Sequence, residues 1–173
     1  DLYEHCLSGD ALLSGIGDWF FRSAAFPDVE DNAEEYYRRF YHEQDEETQT
    51  LKHRLEEKRS GLNAFLDSLI DRYGLGAVDL VGFTTLFSQT VASFAMAQRI
   101  KMKAPGVLTV IGGAACEAEM GLEISEHVPQ VDAVFSGPGL KNFPTFIGYL
   151  MEGEGKAWEP IQGVFTHDHR AYW

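Results

Sequence analysis

Three short runs that are apolar from end to end constrain this chain more than any other feature: "AVDLVGFTTL" at residues 77–86, "VLTVIGG" at 107–113 and "VDAVFSGPG" at 131–139. A strand with one wet face alternates apolar and polar residues. A strand covered on both faces does not. Between and after these runs lie "VASFAMAQRIKMK", "EAEMGLEISEHV" and "NFPTFIGYLMEG", which read as helices. Strands alternating with helices predict a parallel sheet covered on both faces, an α/β fold of the Rossmann-like (flavodoxin-like) kind. The tail "IQGVFTHDHRAYW" reads as a C-terminal β-ribbon with "THDHR" at or near its turn.

The first 75 residues have a different grammar and form a helical region, with the α/β part running from 76 to 173. Leu2 to Phe26 reads as short helices broken by Gly9, Gly15 and Gly17, ended by Pro27. Acidic residues from Asp28 to Glu35 suit a helix start, and "EEYYRRFYHEQ" continues it. A long helix is predicted from Glu46 to Tyr73. Leu51, Leu55, Leu62, Phe65, Leu66, Leu69 and Ile70 lie on one stripe, Gly61 loosens it midway, and Gly74 and Gly76 stop it.

Charge narrows the function classes. Fourteen Lys+Arg against 27 Asp+Glu give a formal net charge of −13, which argues against a nucleic-acid partner and against an anionic membrane surface. No apolar run is long enough to span a bilayer. Cys6 and Cys116 alone provide neither a disulfide framework nor a four-thiolate metal site. With no secretory signal, a reduced cytoplasmic setting is the default. The chain starts at Asp1 rather than Met, so it reads as a fragment.

In an open parallel sheet, ligands bind beyond the carboxyl ends of the strands. Three loops fall there: Thr84-Thr85-Leu86-Phe87-Ser88-Gln89, Gly112-Gly113-Ala114-Ala115-Cys116-Glu117 and Ser136-Gly137-Pro138-Gly139. Small residues permit close backbone approach by a bulky ligand. Tight strand-to-helix turns use the same residues for structural reasons alone. The glycines do not spell a nucleotide fingerprint: Asn142 stands where the third Gly of G-x-G-x-x-G would fall, and no Walker motif occurs.

The segments "VGFTTLFSQTVASFAMAQRIK", "VIGGAACEAEMG" and "VDAVFSGPG", in this order and spacing, resemble the cobalamin-binding domain of radical SAM C-methyltransferases that modify ribosomally made peptides. "FPTFIGYLMEG" and "IQGVFTHD" resemble the segments leading toward that family's catalytic domain. The helical region is similar to its long helical insertion. The resemblance implies cobalamin as cofactor, a peptide substrate and a partner radical SAM domain carrying a 4Fe-4S cluster and SAM. Its hydroxyl-x-Leu motif falls on Thr84, Thr85 and Leu86, and its Gly-Gly pair on Gly112 and Gly113, followed by Ala114. Ser136 and Gly137 line the remaining edge, and Gln89 also matches a family position.

Three departures accompany the resemblance. The CxxxCxxC cluster motif is absent, so this chain alone does not cleave SAM. The family's opening strand-helix-strand is absent too. That leaves about three of five parallel strands and a bare edge on the Asp79–Phe83 strand, to be covered by a second copy, a rearranged segment or the missing part. The family's "GEG" reads "GPG", with Pro138 in place of the acid.

Other residues are weighed separately. Cys116 at a helix start is a conceivable nucleophile, but a small buried residue in a tight turn is the preferred reading. His167 and His169 share a strand face and are more simply polar turn residues than metal ligands. His5, His42, His53 and His127 fall in helical segments, so no histidine offers itself as an axial ligand to cobalt. Trp19, Phe20, Phe21 and Phe26 read as core, with a docking surface as the alternative. Glu117 and Glu119 read as a solvated first turn. No catalytic and no metal-ligating residue is assigned. The rivals are an interaction module of the same fold that binds no cofactor, and a small flavodoxin-like enzyme using Cys116.

Overall fold

A computed structural model describes residues 9–152 and 161–168. The first half holds α1 (Gly9–Ser14), α2 (Ile16–Ala25), α3 (Ala33–Phe40), α4 (Glu46–Ser60) and α5 (Leu62–Tyr73). Then come β1 (Leu80–Thr84), α6 (Thr90–Lys103), β2 (Leu108–Gly112), α7 (Ala118–His127), β3 (Ala133–Phe135), α8 (Asn142–Glu152) and β4 (Val164–Phe165). The strands make one sheet in the order β1-β2-β3-β4. β1, β2 and β3 are parallel, and β4 runs antiparallel beside β3. The chain is therefore the expected α/β, Rossmann-like type. Of the expected C-terminal ribbon, the first arm is β4, which pairs with β3. The return arm lies outside the described residues.

Register and pleat sort the strand side chains onto two faces. Val81, Phe83, Ile111, Val134 and Phe165 pack with Ala24 of α2, Leu62 and Leu66 of α5, Phe94 and Ile100 of α6, and Ile124 of α7. The opposite face carries Leu80, Val110, Ala133, Phe135 and Val164, against Phe146 and Leu150 of α8. α8 does not reach across β1, where Gly82 and Thr84 are exposed. Among the described residues, the expectation of helices covering both faces therefore fails over β1. β1 is also the terminal strand, and no described residue pairs with its outer edge.

The helix expected over Glu46–Tyr73 is two helices. Gly61 separates them, although its φ of −88° and ψ of −4° remain in the right-handed region. Of the predicted stripe, Leu55, Leu62, Leu66 and Ile70 are buried, but Phe65 is 57% exposed. Asp45 caps α4, accepting from the Thr48 N–H at 2.9 Å. Gly74 closes α5 at φ 65°, a conformation glycine adopts without strain.

The change of sequence grammar near residue 75 is not a gap in the core. Phe26 meets Phe94 edge to face at 6.1 Å. Gln130 Nε2 donates to the Ala25 carbonyl at 3.0 Å in the interior. Asp18 of α2 accepts from the Val91 N–H at 3.3 Å, so α2 satisfies a first-turn amide of α6. Gly17 lies so close to Ser88 that a Cβ there would fall 2.7 Å from the serine Cβ.

Candidate functional site

Parallel strands send their carboxyl ends the same way. Thr84, Gly112 and Phe135 stand in one register row, so the three loops after β1, β2 and β3 share one rim. On the α8 side of this rim lies a groove of about 310 Å³. Its lining includes Gly82, Thr84, Gly112, Gly137, Phe135 and Phe143. The floor is open because α8 stops short of β1 and because Gly82 has no side chain. A Cβ on Gly82 would meet only Val110 Cγ2 at 3.7 Å and Leu80 Cδ2 at 4.0 Å, ordinary contact distances. Packing within the chain therefore does not require a glycine there.

The other glycines differ. Gly113 has φ 107°, and a Cβ would fall 2.5 Å from the Thr85 carbonyl oxygen. Its lack of a side chain is required by the crossing of the β1–α6 loop, whatever binds above. Gly112 is tight against Phe135, at 3.3 Å from its Cβ. Gly137 has φ 83° and open space around it.

The anticipated cofactor-binding residues divide. Thr84, Gly112, Gly113 and Gly137 line the groove together. Thr85 is turned inward and is 1% exposed; its N–H and hydroxyl both reach the Gly112 carbonyl, at 2.8 and 3.3 Å. Ser136 is buried as well, and its hydroxyl accepts the Ala118 N–H at 2.9 Å. Both hydroxyls brace the rim from behind and do not face the groove. Leu86, Gln89 and Ala114 are exposed on the loops but outside the groove lining, and Gln89 Oε1 accepts the Leu86 N–H at 3.1 Å. Gly139 of the loop after β3 also lines the groove, together with Gly82, Phe135 and Phe143, which the sequence reading does not single out. Gly82 carried a legible signal, an isolated glycine inside an apolar strand.

Two non-glycine residues adopt left-handed backbone among the described residues, Ser88 at φ 43° and Ala118 at φ 49°. Ser88 lies in the rim loop after β1, and Ala118 opens α7 directly after the rim loop that follows β2. Such conformations cost about 1–3 kcal/mol each and are held by their surroundings. Here the holders are the approach of Gly17 to Ser88 and the Ser136 hydrogen bond to Ala118.

Cys116 lies in a one-turn 3-10 segment, Ala114–Cys116, ahead of α7. It is 0% exposed, and burial pushes its thiol pKa up, against a weaker opposing effect of Thr85, whose hydroxyl is 3.6 Å from the sulfur. A buried thiol with a raised pKa has little thiolate to attack with. This geometry speaks against the cysteine-enzyme rival. Among the described residues no group of three or more His, Cys, Asp or Glu is placed to hold a metal ion. His42 lies beyond the end of α3, outside any helix; His167 is exposed, while His5 and His169 lie outside the described residues. Glu117 and Glu119 are exposed, as the solvated-turn reading has it.

Sheet order and strand alternation define a Rossmann-like α/β fold, with an open groove at its strand-end rim. No protein-family model matches the chain, and neither a curated protein nor a solved structure matches it. Among the described residues no helix is long and apolar enough to cross a membrane.

Proposed function

We propose that this chain is a cobalamin-binding-like domain that holds methylcobalamin across the strand-end rim for methyl transfer to a peptide substrate radical. The observation that carries the reading is the groove floored by Gly82 and Gly112, beside an exposed Thr84. The residues present fit part of such a group. Bare main chain accepts the flank of a large ring system, Phe135 and Phe143 supply an apolar wall, and Thr84 offers a hydroxyl. A groove of about 310 Å³ encloses only one arm of so large a cofactor, with the remainder lying over the rim. When bound, cobalamin supplies the methyl group. The chain's own residues bind and orient it and shield one side from water. The radical SAM domain, with its 4Fe-4S cluster and SAM, belongs to the proposal as a partner domain.

The test is direct. The chain is incubated with hydroxocobalamin, desalted, and its visible spectrum recorded. Retained corrin absorbance near one equivalent supports the reading, and a spectrum free of corrin bands contradicts it.

One observation favours a second reading, an interaction module without cofactor. Phe87 is 80% exposed and Leu140 88%, both on the rim loops. Exposed apolar residues clustered at a rim suit a protein surface as well as a cofactor.

A further inference from the structure

The ladder between β1 and β2 fixes where the unused main-chain groups of β1 point. The Leu108 N–H donates to the Asp79 carbonyl at 3.0 Å, and the Thr85 N–H donates to the Gly112 carbonyl at 2.8 Å. Between these two bonds the register is unbroken, from Leu80 beside Leu108 to Thr84 beside Gly112. Along a strand, successive residues turn their N–H and C=O to opposite sides. Val81 and Phe83 therefore serve β2. Leu80, Gly82 and Thr84 direct theirs outward, where no described residue pairs with them.

Natural sheets defend an open edge with lysine, proline, a bulge or a very short strand. The far edge of this sheet has the last of these, since β4 is two residues long. β1 has none of them. From Leu80 to Gln89 there is no charged residue and no proline, and the pairing with β2 contains no bulge. Gly82 and Thr84 are exposed. Val81 and Phe83 pack toward Ile70 of α5 and Ile100 of α6, yet both keep part of their surface open at the edge.

We propose that two copies of this chain pair β1 with β1, antiparallel about a two-fold axis at Gly82, and so double the four-stranded sheet. The strand is complementary to itself in this register, which matches all three outward residues. Leu80 exchanges main-chain bonds with Thr84 of the second copy, Thr84 with its Leu80, and Gly82 with its own counterpart. Val81 then faces Phe83 of the second copy in the positions between, where cross-strand side chains come closest and a β-branched residue favours an aromatic one. Asp79 falls across from Thr85, so no like charges stand opposite one another. The contact is the same on both copies and closes as a dimer. Its bonds lie in the plane of the sheet, whereas the groove lies on the α8 face, so the pairing stands independently of cobalamin binding.

The first measurement is the mass of the full 173-residue chain by sedimentation over a wide range of concentration. The salt is about 0.15 M, where repulsion between two chains of net charge −13 is screened beyond ~8 Å. A reversible rise from 19.4 kDa toward twice that mass is expected. The second measurement reads the register. Hydrogen-bonded partners on antiparallel strands have Cα atoms ~5.5 Å apart, within the span of a disulfide. In a Cys6→Ser background, Gly82→Cys is expected to form a covalent dimer under oxidised glutathione. Val78→Cys is exposed as well, but this register sets it ~26 Å from its own counterpart, and it is expected to stay uncrosslinked. A chain that remains monomeric at every concentration overturns the proposal. If its Leu80, Gly82 and Thr84 amides also exchange slowly with solvent, a segment of the same chain holds that edge instead. A dimer in which Gly82→Cys cross-links no faster than Val78→Cys overturns the proposal too, and puts the contact on another face.

Discussion

Gly82 and Gly113 both line one groove, yet packing within the chain requires a glycine only at Gly113. Gly113→Ala places a methyl against the Thr85 main chain at φ 107°. A loss of about 1–3 kcal/mol is expected in chemical denaturation. Gly82→Ala meets only ordinary contacts and is expected to shift stability by less than about 0.5 kcal/mol. Cys116 gives a second residue-scale prediction. Because burial holds its thiol in the protonated form, in a Cys6→Ser background it should react with a thiol reagent at neutral pH only as fast as the chain unfolds. Rapid labelling of folded protein would refute the buried geometry. The same residues show what sequence could tell. The pairing of two threonines with two glycines at a strand end was legible, but which hydroxyl turns outward was not. That depends on where the pleat stops, and β1 stops at Thr84, leaving Thr85 to close onto Gly112.

At the scale of elements, the apolar runs and their small-residue ends locate the three parallel strands of the described residues, because a short continuous apolar run bounded by turn residues has few other readings, although β1 is covered on one face only. Gly61 signals the boundary inside the Glu46–Tyr73 stretch, where the helix divides in two, and Phe65 lies off the face on which Leu62, Leu66 and Ile70 are buried on either side of it. Gly61 keeps a helical backbone, and a Cβ there would come no nearer than 3.8 Å to the Lys58 carbonyl. Gly61→Ala is therefore expected to raise stability by about 0.5–1 kcal/mol, seen as a higher denaturation midpoint. Another prediction concerns pH. The hydrogen bond from Arg99 holds the Asp67 carboxyl below its ordinary range, with ion-pair distances of 2.6 and 2.9 Å between α5 and α6. The folded chain therefore gives up this proton more readily than the unfolded chain. The stabilisation is full above the unfolded carboxyl value, about pH 4, and drains away as pH falls toward the lowered folded value. Thermal midpoints of the wild type and Asp67→Asn should differ near neutral pH and converge at the acid end. A constant difference down to low pH would refute the pairing.

For the molecule as a whole, helices of the first half are built into the α/β core through Phe26, Gln130 and the Asp18 bond to α6. That integration was not legible in the sequence, since long-range pairing of helices leaves no local pattern. Nor was the incomplete cover of one sheet face, because strand composition reports that a strand is apolar, not which helix covers it. What remained visible was the chemistry of one rim: three small-residue loops that the parallel register aligns and a groove that α8 leaves open over β1. The decisive measurement is equilibrium titration of the chain with hydroxocobalamin by visible absorbance, alongside Gly82→Leu, with the thermal midpoint of each protein as control. A saturable spectral change in the wild type, lost in Gly82→Leu at an unchanged midpoint, is the predicted result. Absence of binding by the wild type, or equal binding by both proteins, would contradict the assignment of the cofactor to this groove.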